Sequence, residues 1–273
     1  MKKLILLSIL YVALSAHDLF IKLDTYFLKP HQEAQLYLFN GTFETTENEI
    51  ARERMQQVQL VGPAGKQTPK DAQWTDRNNA TYLSFKAGEA GTYVAGVSVK
   101  PGTIALSADE FNEYLEHDGV LDVLASREKQ NQLNQPSREL YAKHVKAIFQ
   151  VGDELSEQYK KTLGYPVEFV PQQNPYTLQE GDELEVQLLE NGKPLANHYV
   201  YAGFSEAEEH SHAHQETEHH HDEVQQKTNK KGMVSIKLEH EGQWYLRCIR
   251  MIESKSDTLD YESNWATLTF EVR

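Results

Sequence analysis

From Asp18 onward the chain is cut at short intervals by turn-forming clusters, and the stretches between them are short and strand-like, which confines it to a mainly β fold. Leu19, Phe20, Ile21 and Leu23, then Leu36, Tyr37, Leu38 and Phe39, form brief alternating runs, punctuated by Pro30 and closed by Asn40-Gly41. Residues 58–61, 81–85 and 92–99 continue at the spacing of sandwich strands, so 17–106 reads as an N-terminal β-sandwich domain. After Gly164 the texture returns in 167–170, 184–189, 198–204, 234–238, 244–249 and 265–272. The separating turns are Glu180-Gly181-Asp182, Asn191-Gly192, Asn229 to Gly232 and Glu241-Gly242. Residues 164–273 therefore read as a second sandwich, immunoglobulin-like or transthyretin-like.

Between these two domains the period changes. Phe111, Tyr114 and Leu115, then Val120, Leu121 and Leu124, then Leu140, Tyr141, Val145 and Ile148 recur at three- and four-residue spacing, which predicts two or three helices. Ser107-Ala108-Asp109-Glu110 has the form of a helix-capping start, and a polar stretch over 130–137 interrupts the pattern. Residues 107–163 are accordingly expected to be a helical insert or bridge. The length of 273 residues suits one large or two smaller domains, and two fits the texture better.

The start of the chain carries Lys2 and Lys3, an apolar run from Leu4 to Leu14, and small residues at Ser15 and Ala16. That is the pattern of a secretory signal peptide over 1–16. The run falls short of the roughly 20 apolar residues a membrane span needs, and no other segment reaches that length, so no membrane insertion of the processed chain is expected. No cysteine lies near the cleavage region to accept a lipid. Loss of Lys2 and Lys3 takes the net charge from −14 to −16, which disfavours nucleic acid as a partner and favours cations. Cys248 is the only cysteine, so the fold needs no internal disulfide, and its place in an alternating strand pattern predicts a packed core thiol.

The outstanding local feature is residues 206–222, EAEEHSHAHQETEHHHD, in which His210, His212, His214, His219, His220 and His221 sit among carboxylates. By composition it is a metal-capture sequence. In an extended chain His210, His212 and His214 point to one side, so one ion can meet two or three imidazoles. Imidazole suits Zn, Cu and Ni, and the acidic residues concentrate cations locally. The run lies between two strand patterns, so it is expected to be a loop; the competing reading is a solvated loop with incidental affinity.

A second feature appears on processing. Cleavage after Ala16 leaves His17 as the first residue, with a free amine beside its imidazole; cleavage after Ser15 gives an Ala16-His17 chelate instead. The amine has a pKa of about 7.7–8.0, so a metal displaces its proton at modest cost near neutral pH. Either geometry favours square-planar Cu(II) or Ni(II). The alternative is that His17 simply begins the first strand. His117-Asp118 and His198 are weaker candidates for an extra ligand. His31, His144 and His240 read as surface or packing residues, and Asp257, Asp260 and Glu262 as a solvated loop. No HExxH, GxSxG, P-loop or paired CxxC is present, so an enzyme of a common class is not expected. The one enzymatic alternative is copper-dependent oxidation at an N-terminal His17 chelate.

Residues 168–176 (EFVPQQNPY), 178–182 (LQEGD), 191–195 (NGKPL) and 261–270 (YESNWATLTF), with 16–20 (AHDLF) and 111–115 (FNEYL), cover most of the chain. Together they resemble a bacterial family of unknown function described as periplasmic components of cobalt/nickel uptake systems. The resemblance implies a two-part β protein of the Gram-negative periplasm that handles Ni, Co or a related divalent metal, with a His just after the signal, matched here by His17. The expectation is thus a non-enzymatic periplasmic protein that binds a divalent transition metal (Ni, Co, Cu or Zn) through the 210–221 histidines, with His17 as a holding site and a membrane metal-uptake transporter as partner. Its rival is a structural or adhesive sandwich protein with incidental metal binding.

Overall fold

A computed structural model describes residues 17–205 and 223–273. The first part carries β1 (Asp18–Leu23), β2 (Phe27–Leu28), β3 (Glu33–Gly41), β4 (Met55–Gly62), β5 (Gly65–Gln67), β6 (Trp74–Arg77), β7 (Ala80–Lys86) and β8 (Gly91–Leu106). Helices α1 (Ala108–His117) and α2 (Leu121–Lys129) come next, then β9 (Ser137–Val151). The remainder is β10 (Val167–Pro171), β11 (Glu183–Glu190), β12 (Lys193–Pro194), β13 (Tyr199–Ser205), β14 (Val224–Lys227), β15 (Met233–Lys237), β16 (Gly242–Glu253) and β17 (Tyr261–Val272). The chain is mainly β, and these are the two α-helices among the described residues.

A nine-stranded sheet in the order β14-β13-β16-β17-β9-β8-β4-β5, with β2 added on β9, forms the centre. One face is covered by the sheet of β10, β11, β12 and β15, and the core between them holds Phe169, Val186, Ile236, Trp244, Leu246, Cys248 and Phe270. On the opposite face lies the four-stranded sheet β1-β3-β7-β6, over Val97, Ala147, Phe149 and Val151. Beside it, α1 and α2 pack Phe111, Tyr114 and Leu115 onto Ile249, Met251, Tyr261 and Trp265. Thr267 and Thr269 on β17 donate hydroxyl hydrogen bonds to the carbonyls of Leu19 and Ile21, fastening β1 to the central sheet.

The expected helices α1 and α2 form. Ser107 accepts from the Glu110 backbone N–H while the Glu110 carboxylate accepts from the Ser107 N–H, the reciprocal cap expected there. The third expected helix does not form. Residues 137–151, with Leu140, Tyr141, Val145 and Ile148, are a 15-residue strand, antiparallel to β8 and parallel to β17. The reason is burial on both faces: Ile148 faces one core while Val145, Ala147 and Phe149 face the other. Such a strand loses its two-residue alternation and is apolar throughout, which periodicity alone does not separate from a helix. The segment between the two sandwich patterns is therefore a helical hairpin followed by the strand that joins both cores, and not a helical bridge throughout. Short β5, β12 and β14 escaped the sequence pattern because each is too brief to show a period.

Candidate functional site

Residues next to three histidine-bearing features of the sequence come together at one place: Asp18 at the start of β1, Asp118 where α1 turns into α2, and Glu223 just before β14. His210, His212, His214, His219, His220 and His221 lie outside the described residues, as do 1–16; their flanking residues do not. The Arg247 side chain, on β16, is the hub. Its Nε and Nη2 donate to Glu223 Oε1 and Oε2 at 2.8 and 2.5 Å, its Nη1 donates to the Asp118 carbonyl at 3.1 Å, and Asp18 Oδ2 lies 3.6 Å from Nε. The guanidinium also sits 4.6 Å from the Tyr201 ring centroid. Glu223 directly follows the His-rich run, Asp18 directly follows His17, and Asp118 directly follows His117. One buried arginine thus gathers the neighbours of all three.

His17 places Nε2 3.0 Å from Glu47 Oε2, and its carbonyl accepts from Lys143 Nζ, which also donates to Asn40 at 3.2 Å. His117 places Nδ1 2.9 Å from Asp118 Oδ1, and that hydrogen bond raises its pKa. The His117 side chain is 67% exposed. A carboxylate on one ring nitrogen of a histidine fixes tautomer and orientation, the arrangement that accompanies ligation through the other nitrogen.

The electrostatics of the cluster follow from burial. It raises the Asp18 carboxyl to about 6 against the pull of Arg247, and lowers the Lys143 ammonium to about 8. Glu139, on β9, accepts from the Ser263 and Tyr114 hydroxyls and is raised to about 7, again by burial.

Among the described residues no group of three or more His, Cys, Asp or Glu side chains is placed to hold a metal ion. The scaffold by itself offers imidazole–carboxylate pairs, His17 with Glu47 and His117 with Asp118.

The other histidines are dispersed. His144 is buried on β9 between Ser98 Oγ and Asn264 Oδ1, both at 2.9 Å, and burial lowers its pKa. This serine–histidine–asparagine chain is sealed in the sheet, Ser98 and His144 being 1% and 2% exposed. His198 is buried at the far end of β13 from Ser205, and its Nε2 has no hydrogen-bond partner among the described residues. His240 stacks on Phe204, and His31 sits in a left-handed turn at φ 62°. Asp260 and Glu262 accept from the Arg138 backbone and the Ser254 hydroxyl, which ties down a turn. Cys248 is the packed core thiol expected of it, and burial raises its pKa.

Sequence reasoning missed Arg247, Glu223 and Asp18 as a unit, because residues so far apart in the chain share no spacing. The one available signal was a pair of arginines, Arg247 and Arg250, inside the otherwise largely apolar run WYLRCIRM. No helix among the described residues is long and apolar enough to cross a membrane.

No curated protein sequence matches the chain. Among solved structures, the chain is similar to the D0-D1 domain of intimin, at 11% identity and a TM-score of 0.22, covering 93% of this chain and 97% of that one. Salmonella alpha-2-macroglobulin gives 12% identity and a TM-score of 0.22, with 93% of this chain against 15% of that one. The Yersinia pseudotuberculosis adhesin InvE gives 14% and 0.22, with 93% against 58%. A family model described as "Domain of unknown function (DUF4198)" matches residues 14–251, and the chain belongs to that family.

Proposed function

We propose that this is a non-enzymatic periplasmic protein that binds a divalent transition metal, nickel or cobalt in the first place and copper or zinc by the same donors, and hands it to a membrane uptake transporter. The 210–221 histidines are the collecting element and His17 the holding point, its amine freed by removal of residues 1–16. The observation that supports this reading is the Arg247 hub. It holds Glu223, the residue after the His-rich run, Asp18, the residue after His17, and the carbonyl of Asp118, the residue after His117, on one buried guanidinium, which supports a single shared role for the three. The surplus of carboxylates, giving a net charge of −14, raises the local cation concentration around them.

The test is calorimetric titration of the chain beginning at His17 with Ni(II), Co(II), Cu(II) and Zn(II), beside a variant lacking 206–222 and a His17→Ala variant. Multi-site uptake lost on deletion, with one tighter site that His17→Ala removes, is the expected result. Ligation needs neutral imidazole, so affinity is expected to weaken as pH falls through about 6.5. A full-length chain that takes up none of the four metals at micromolar concentration overturns the proposal. Copper-dependent turnover of a reductant overturns its non-enzymatic part.

A further inference from the structure

The outward face of the sheet β1-β3-β7-β6 carries a feature that metal handling does not use. Along β3 and β7 the residues alternate cleanly: Leu36, Leu38, Leu83 and Phe85 enter the core, while Gln35, Tyr37, Phe39, Tyr82 and Ser84 point away and stay half-buried. The register sets Tyr37 beside Tyr82 and Gln35 beside Ser84. Tyr37 lies 5.3 Å, centroid to centroid, from both Phe39 and Tyr82, and the Arg77 guanidinium sits 4.1 Å over the Tyr82 ring.

The stripe is held in place by a chain of hydrogen bonds. Arg77 donates to Gln35 Oε1 at 2.8 Å, Gln35 Nε2 donates to Ser84 Oγ at 2.9 Å, and the Tyr37 hydroxyl donates to Asp24 Oδ1 at 3.1 Å. At the Asp24 end it runs into a cleft of about 370 Å³ whose lining includes Asp24, Thr25, Gln32, Glu33, Gln35 and Ser84.

From these residues we infer that the face binds a neutral oligosaccharide. A row of pre-positioned aromatic rings meeting a cleft of amides, hydroxyls and carboxylates suits a ligand with one apolar ring face and many hydroxyls. Within the cleft the carboxylates of Asp24 and Glu33 repel anionic ligands, in keeping with the chain's negative charge, while Leu28, Ala34 and the carbon stems of the polar side chains supply apolar surface for the ring face of a sugar. The hydrogen bonds that lock Gln35, Ser84 and Tyr37 reduce the ordering cost of binding. This inference stands apart from the metal reading: it uses none of the histidines.

The experiment is titration of the chain with cellotetraose, maltotetraose and chitotetraose, with tetragalacturonate as the anionic control, followed by calorimetry and saturation-transfer NMR. Saturable binding of at least one neutral tetrasaccharide and none of tetragalacturonate is expected. Tyr82→Ala and Gln35→Ala are expected to weaken it about tenfold with the thermal unfolding midpoint retained. Deletion of 206–222 is expected to leave it unchanged, so failure here is separable from failure of metal binding. Ser84→Ala provides a smaller change at the same place should Tyr82→Ala unfold. Absence of binding for all three neutral probes, equal binding of the anionic one, or affinity untouched by the folded variants overturns the inference.

Discussion

At the scale of single residues, a few buried charges do most of the positioning, and their energetics are asymmetric. Arg247 is 10% exposed and meets Glu223 and Asp18, themselves 20% and 16% exposed, so truncating it takes the guanidinium from two carboxylates that have little solvent. Arg247→Ala is expected to cost about 3 kcal/mol in urea unfolding, and Arg247→Lys to recover only part, because an ammonium cannot reproduce the two-pronged contact with Glu223. An unchanged denaturation midpoint in Arg247→Ala would remove the hub from the account of the site.

Glu139 gives a pH signature. Burial holds its carboxyl at about 7 in the folded chain against about 4.3 unfolded, so between those values the folded state retains a proton that the unfolded state has lost. Its contribution is therefore complete below about pH 4.3, falls as pH rises towards 7, and is level above. Glu139→Gln is expected to flatten that fall in unfolding free energy between pH 4.5 and 7; a variant with the parent's slope across this window would show that other groups set it.

At the scale of elements, local chemistry and tertiary burial compete, and the winner differs from one segment to the next. Helix α1 obeys its own sequence: the Ser107–Glu110 cap starts it, and Phe111, Tyr114 and Leu115 make the stripe that packs. The turn after it depends on Gly119, held at φ +77°, where an added Cβ would lie 2.3 Å from the Tyr201 ring whose hydroxyl donates to the Gly119 carbonyl. Gly119→Ala is accordingly expected to lower stability by about 2 kcal/mol and to disturb the Asp118 carbonyl that Arg247 grips. Thermal unfolding together with metal titration would check both effects. In β9 tertiary burial prevails. The spacing of Leu140, Tyr141, Val145 and Ile148 suits a helix, but pairing with β8 on one side and with β17 and then β2 on the other satisfies most of the backbone, and two cores cover its sides.

At the scale of the whole molecule, β9 also ties the central sheet to its cover. Lys146 on β9 and Glu168 on β10 form an ion pair at 3.1 Å with side chains 1% and 2% exposed. Glu168 further accepts from the backbone N–H groups of Leu163 and Gly164, while Lys146 donates to the carbonyls of Phe169 and Lys161. Removing the carboxylate strands an ammonium and two amides, so Glu168→Ala is expected to cost about 4 kcal/mol, and Lys146→Met less. The reverse order in chemical denaturation would mean that the ammonium and not the carboxylate is the organising group.

The sequence by itself determined the mainly β character, the α1–α2 hairpin, the core place of Cys248 and most strands with a clean alternation or a strong turn beside them, because each of these is settled by contacts within a few residues. The composition of residues 206–222 was equally plain from the chain alone. Only the tertiary structure decided that 137–151 is a strand, that both cores share one sheet, and that Asp18, Asp118, Glu223 and Arg247 converge. Pairing between distant strands and the burial that comes with it leave no period in the chain, and a charge cluster drawn from four elements has no spacing to read.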